Sequence, residues 1–193
     1  MDKVWNEIGC NNKRLNNEKI QKYYMHPVWL LNGLFIESHA LSMMHRNNIS
    51  DWIVEHNIKS MLDYGGGFCT LSRLTAEKNP DMAIDVLEPF PAGVSKKIIA
   101  QYPQIRFVGH LARTYDCIVA LDVLEHVADP LQVLAKMIQA TAFNGTLLIG
   151  NCFKPVINCH LPRTFYLNNS FRKIASAMNL DFKGKISGCH AEI

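Results

Sequence analysis

Beyond Ile58 the chain alternates short apolar runs with amphipathic stretches, and this alternation constrains the fold more than any other feature. Strand-like runs fall at 60–64, 83–88, 105–108, 116–122 and 146–153. Helical segments fall at 70–78, 91–101, 130–141 and 168–178. The runs are apolar on both faces, as strands covered by helices on each side must be. They predict a doubly wound α/β domain with a mostly parallel sheet. Residues 180–193 read as two strands about a turn at Ser187 and Gly188, which adds a C-terminal antiparallel strand.

The first 57 residues have a different texture. Leu30, Leu31, Leu34, Phe35, Leu41 and Met44 recur at spacings of three, four and seven, an apolar helical stripe within 26–56. Pro27 suits the first turn of that helix, and Ser50 and Asp51 supply cap chemistry for a short helix at 51–56. The Asn- and Lys-rich residues 11–22 read as a solvated leader. The expected organisation is therefore a leader and helical cap at 1–57 and one compact unit at 58–193.

The sharpest local signal is Met61-Leu62-Asp63-Tyr64-Gly65-Gly66-Gly67-Phe68-Cys69-Thr70-Leu71, a strand that runs into three glycines with a helix directly behind. Glycines suit a place where the chain turns tightly and a ligand approaches the backbone, although a plain strand-to-helix turn uses them too. Glu88 ends the next strand-like run, at the distance where a carboxylate can accept ribose hydroxyls. The dinucleotide fingerprint G-x-G-x-x-G fails, because Thr70 stands in place of its last glycine. Asp63 would also repel a phosphate, so a ligand carrying an ammonium group suits the loop better.

These residues resemble the class I S-adenosylmethionine-dependent methyltransferases. Asp63, Gly65 and Gly67 meet that family's D-x-G-x-G-x-G loop, with Cys69 in place of the last glycine. The segment Asp122-Val123-Leu124-Glu125-His126-Val127-Ala128-Asp129-Pro130 is similar to the V-L-E-H-V-x-D-P signature of many small-molecule members. The resemblance covers roughly residues 58–181 and implies a Rossmann-like fold with S-adenosylmethionine as cofactor. It implies that Tyr64, Gly65, Gly66 and Gly67 pass the methionine part, with Asp63 near its amino group. Glu88 would hold the ribose, Pro89 would lie beside the adenosine, and Asp122 would line the methionine end. The connection 109–114 lacks the carboxylate that many relatives place near adenine, so backbone near His110 and Leu111 is the expected adenine contact. Ile193 comes soon after the last strand begins, which implies a trimmed sheet edge or a stretch of a longer polypeptide.

Methyl transfer to a hydroxyl or phenol also needs a base, and histidine is the usual one near neutral pH. His126, at the tip of the fourth strand, and His160, after the fifth, are the candidate catalytic residues; helix capping and a loop role are their structural alternatives. Asp122, Glu125 and His126 at i, i+3 and i+4, with His160, also make a possible metal set, although acidic residues at a helix start are common and no metal is assigned. Tyr23, Tyr24, His26 and Trp29 cluster where a lid would meet the pocket.

Composition narrows the function classes. A net charge of +3 is too small to favour a nucleic-acid partner. An apolar fraction of 48% speaks against disorder. The most apolar stretch, 28–44, is broken by Asn32, Glu37, Ser38 and His39, short of the about 18 apolar residues a span requires. Six cysteines without C-x-x-C spacing read as reduced and structural. The expectation is a cytoplasmic methyltransferase acting on an oxygen or nitrogen of a small-molecule acceptor. The alternatives are a metal-assisted RNA methyltransferase and a non-catalytic cofactor-binding relative.

Overall fold

The computed structural model describes residues 1–111 and 113–193; Ala112, within the 109–114 connection, lies outside the described residues. Five strands, β1 (Ser60–Tyr64), β2 (Ala83–Leu87), β3 (Ile105–Phe107), β4 (Tyr115–Leu121) and β5 (Thr141–Gly150), form one parallel sheet in the order β3-β2-β1-β4-β5. Strand order reverses between β1 and β4. In open α/β sheets the crevice at such a switch point, beyond the carboxyl ends of the strands, is where ligands bind.

The period-two geometry of a strand explains the two cores. Met61, Ile84, Val86 and Val119 face one layer, where Ile49 and Ile53 join them. Leu62, Ile118 and Ala120 face the other, against Leu134 and Met137. Each such side chain contributes about 1.5–3 kcal/mol on full burial. The covering helices are α5 (Thr70–Lys78), α6 (Gly93–Ile99), α7 (Pro130–Ala140) and α8 (Leu167–Ala177). Helix α7 starts where Asp129 accepts the Gln132 N–H (2.9 Å) and Pro130 occupies the first turn, whose N–H would have no partner anyway.

Four helices precede the sheet: α1 (Asp2–Ile8), α2 (Asn17–Tyr24), α3 (Val28–Ser38) and α4 (Ala40–Glu55). The expected solvated leader at 11–22 is exposed over most of its length, but from Asn17 onward it is helical. Asn16 caps α2 by accepting the Lys19 N–H (3.0 Å), and Ile20, Tyr23 and Tyr24 form an apolar stripe within a polar composition. The short helix expected at 51–56 is the end of α4, because Ser50 is fully buried inside that helix instead of capping a new one.

The fifth strand also departs from expectation. It begins at Thr141 with a register shift and ends at Gly150, before Phe153. The C-terminal antiparallel strand is present only as isolated bridges, Ile149 with Glu192 and Lys185 with Glu192, around a turn in which Gly188 has φ +69°. Among the described residues no helix is long and apolar enough to cross a membrane.

Candidate functional site

The crevice is built on the glycine loop after β1. Gly65 has φ +73°, and its N–H donates to the Leu87 carbonyl (2.8 Å), which ties the loop to the end of β2. A Cβ on Gly66 would lie 2.8 Å from both the Asp63 carboxyl and Val86. Only glycine lets the chain pass that closely. Cys69, where the loop motif has its last glycine, holds φ +60° as a fully buried residue at the start of α5.

Asp63 lies beneath the loop with 5% of its surface exposed, accepting a hydrogen bond from the Ser72 hydroxyl (2.6 Å). Burial pushes its carboxyl up to about 6, although the Ser72 hydroxyl and the Arg46 guanidinium pull it down. Glu88 reaches across to the loop. One oxygen accepts the Gly67 N–H (3.1 Å) and the other accepts the Phe90 N–H (3.1 Å). Burial raises its pKa against those two bonds. Gly67 and Pro89 are exposed and Tyr64 is half-buried. Asp122, at φ +54° just past β4, is exposed and stands 3.8 Å from the His190 imidazole.

The tip of β4 continues into a 3₁₀ turn, Leu124–His126. Nδ1 of His126 lies 3.1 Å from the Cys159 carbonyl, and Nδ1 of His160 lies 2.6 Å from the Lys154 carbonyl. A carbonyl only accepts, so each Nδ1 carries a proton, and in the neutral ring the lone pair is then on Nε2. Burial, with His160 beside it, pushes His126 down to about 4, so it is neutral at physiological pH. The two rings meet edge to face, with centroids 4.8 Å apart. Glu125 is fully buried. One of its oxygens accepts the Cys152 N–H (2.6 Å), the other has no partner among the described residues, and burial pushes the carboxyl up to about 7.

The cap covers this rim. Tyr24 stacks on Trp29 (5.0 Å) and Phe90 (6.0 Å), and Tyr24 and Trp29 each meet the His126 ring at 6.5 Å. A Cβ on Gly33 of α3 would fall 2.6 Å from Phe68, so the cap backbone presses against the loop. Glu37 accepts from the Thr70 hydroxyl (3.0 Å) and pairs with Arg73. The His160 loop is anchored by the cap as well. The Asn158 N–H donates to Asp2 (2.9 Å), and Cys159 packs with Trp5 and Tyr23.

The structure thus gathers Asp63, the three glycines, Glu88 and Pro89 around one loop, and His126 with His160 at one strand tip. Asp122 stands apart from the histidine pair and turns toward His190. Sequence reasoning missed Phe90, and it left His45 and His190 unassigned although their rings lie 5.2 Å apart beside Asp122. Phe90 was findable from its position two residues after Glu88; the partnership of His45 and His190 spans most of the chain and leaves no local signal. A separate groove of about 530 Å³, between β5, α8 and the C-terminal residues, shares no lining residue with the glycine loop.

A family model described as a methyltransferase domain matches residues 40–178. No curated protein matches the chain. Among solved structures, the chain is similar to mitomycin 7-O-methyltransferase (13% identity, TM-score 0.60, covering 79% of this chain and 52% of that one). A provisionally assigned O-methyltransferase from Nostoc punctiforme matches at 20% identity and TM-score 0.50, over 64% of this chain and 41% of that one. The plantazolicin methyltransferase, solved in complex with SAH, matches at 12% identity and TM-score 0.50, over 76% and 61%. The chain spans about half the length of these structures, and likeness at such identities is likeness of fold.

Proposed function

This chain belongs to the methyltransferase-domain family, and from that premise we propose that it moves a methyl group from S-adenosylmethionine to an oxygen or nitrogen atom of a small-molecule acceptor. One observation carries the reading. A bare glycine loop, a carboxylate hydrogen-bonded to it and two Nδ1-tethered histidines stand together at the carboxyl ends of β1, β2 and β4.

The residues fit that cofactor. A Cβ on Gly67 would meet only the Gly65 carbonyl, at 3.9 Å, so the backbone there is free for a ligand to lie against. Each Glu88 oxygen accepts one N–H and keeps a further lone pair for a ribose hydroxyl. Asp63, beneath the loop, favours an ammonium group above it; Asp122, turned toward His190, would reach the methionine end only by rotating back. Pro89 would lie beside the adenosine. The plantazolicin methyltransferase, a protein of like fold, was solved in complex with SAH, which supports the cofactor class.

When bound, S-adenosylmethionine supplies an electrophilic sulfonium methyl for in-line displacement. The protein's tasks are then to align the acceptor, exclude water and let the acceptor's proton go. Tyr24, Trp29 and Phe90 form the apolar wall that excludes water. His126 and His160 offer the acceptor an Nε2 lone pair while the Nδ1 bonds fix the ring orientations. A small-molecule acceptor and a cytoplasmic location go with this reading.

Calorimetric titration with S-adenosylhomocysteine tests it. Binding in the micromolar range is expected, and Gly67→Arg should abolish it by filling the space over the loop. No heat from the unaltered protein, or undiminished affinity in the variant, would overturn the reading. His126→Ala should keep that affinity while turnover on any acceptor drops by about 10²-fold or more.

A further inference from the structure

We propose that Glu125, His126 and His160 form a binding site for one divalent transition-metal ion at the tip of β4. The inference goes beyond the methyl-transfer reading and does not depend on it; with the ion bound, the two Nε2 lone pairs go to the metal and are not offered to an acceptor. One ligand atom from each of the three residues lies within 4.8 Å of the others. Metal–ligand bonds of about 2.0–2.2 Å hold such atoms roughly 3–4 Å apart, so small side-chain rotations close the set.

Three further observations point to a cation. The first is the tether on each imidazole. Both rings give their Nδ1–H to a main-chain carbonyl, of Cys159 and of Lys154, which fixes the tautomer with Nε2 free. Metal-bound histidines are oriented in this way. Second, the Glu125 oxygen that does not accept the Cys152 N–H is buried and has no partner among the described residues. A buried carboxylate oxygen without a donor is costly, and a cation would satisfy it. Third, the two imidazole rings pack edge to face with centroids 4.8 Å apart, close enough for one ion to reach both.

The donor set decides the metal class. Two imidazole nitrogens and one carboxylate oxygen suit zinc, cobalt, iron(II) or nickel better than magnesium or calcium, which prefer all-oxygen sites. Asp122, expected in the set from its i, i+3, i+4 spacing, is not in it, because its left-handed backbone turns it toward His190. Three protein ligands leave at least one coordination position open, on a rim bordered by Tyr24 and Trp29.

The test uses the full chain, stripped with a chelator and titrated with cobalt(II). One equivalent per chain should bind with visible d–d absorption and raise the melting temperature, and zinc should displace it. Glu125→Gln and His160→Asn should each weaken binding by roughly tenfold or more. His45→Ala, which breaks the other histidine pair, should leave it unchanged. The unaltered protein gives a readout that needs no variant: two exchangeable imidazole N–H resonances should shift far outside the diamagnetic range. Failure of cobalt and zinc to bind would overturn the proposal, as would unshifted imidazole resonances or affinity indifferent to both substitutions. A structural, protonated Glu125 would then account for the site. Affinity for S-adenosylhomocysteine, measured on the same samples, reports on the methyl-transfer reading alone.

Discussion

Asp63 shows what a buried site carboxylate does to its host. Its folded pKa, raised to about 6 from an ordinary 3.8, means that the folded state holds the proton more tightly than the unfolded chain does. The stabilisation from that proton is complete below about pH 4 and is lost as pH rises through about 6, leaving a buried charge that costs about 3 kcal/mol. Asp63→Asn should therefore flatten the stability profile between those limits and raise the urea midpoint at about pH 8. An unchanged slope would show that Asp63 is not the group responsible. The same variant should bind S-adenosylhomocysteine more weakly. Gly66→Ala belongs to this scale too. Its methyl must displace Asp63 or Val86, at a cost of about 1–3 kcal/mol in denaturant unfolding. The need for glycine at positions 65 and 66 was legible from a strand entering a helix, whereas the tolerance of cysteine at the left-handed position 69 was not. Its side chain is paid for by full burial in the core.

Elements differ in how much of themselves they announce. Helix α5 and strand β1 have the limits their sequence predicts, since a glycine loop joins a pure apolar run to a helix and punctuates both. Helix α2 was hidden because its apolar stripe is only three residues deep in a polar segment, and it becomes ordered by docking Tyr23 against Trp5 and Cys159. Strand β5 ends early because the chain after Gly150 turns to give its Cys152 N–H to Glu125, a partner 27 residues away. The contacts that hold the cap down are also long-range. Glu37→Ala removes the acceptor shared by Thr70 and Arg73, and should cost about 1–3 kcal/mol while speeding amide exchange across α3. Protection in α3 equal to that of the parent protein would show that Gly33 packing alone holds the helix.

For the molecule as a whole, the cap and the sheet share one crevice. Tyr24 sits against Phe90, next to Glu88, and against His126, so a ligand entering there must part the stack with Trp29. Saturable change in tryptophan emission on adding S-adenosylhomocysteine is expected, and Trp29→Phe should remove it. A ligand that binds by calorimetry with no change in emission would place its path away from the aromatic wall.

The sequence by itself determined the parallel sheet, its glycine loop and the carboxylate after β2, because strand periodicity, turn chemistry and short-range spacing are local properties of a chain. Only the tertiary structure decided that Asp63 lies under the loop, that Asp122 turns away, and that Glu125 meets His126 and His160 beneath an aromatic lid. Those outcomes depend on backbone handedness and on side-chain contacts, Asp63 with Ser72, Asp122 with His190 and His126 with His160, for which no local pattern carries a signal.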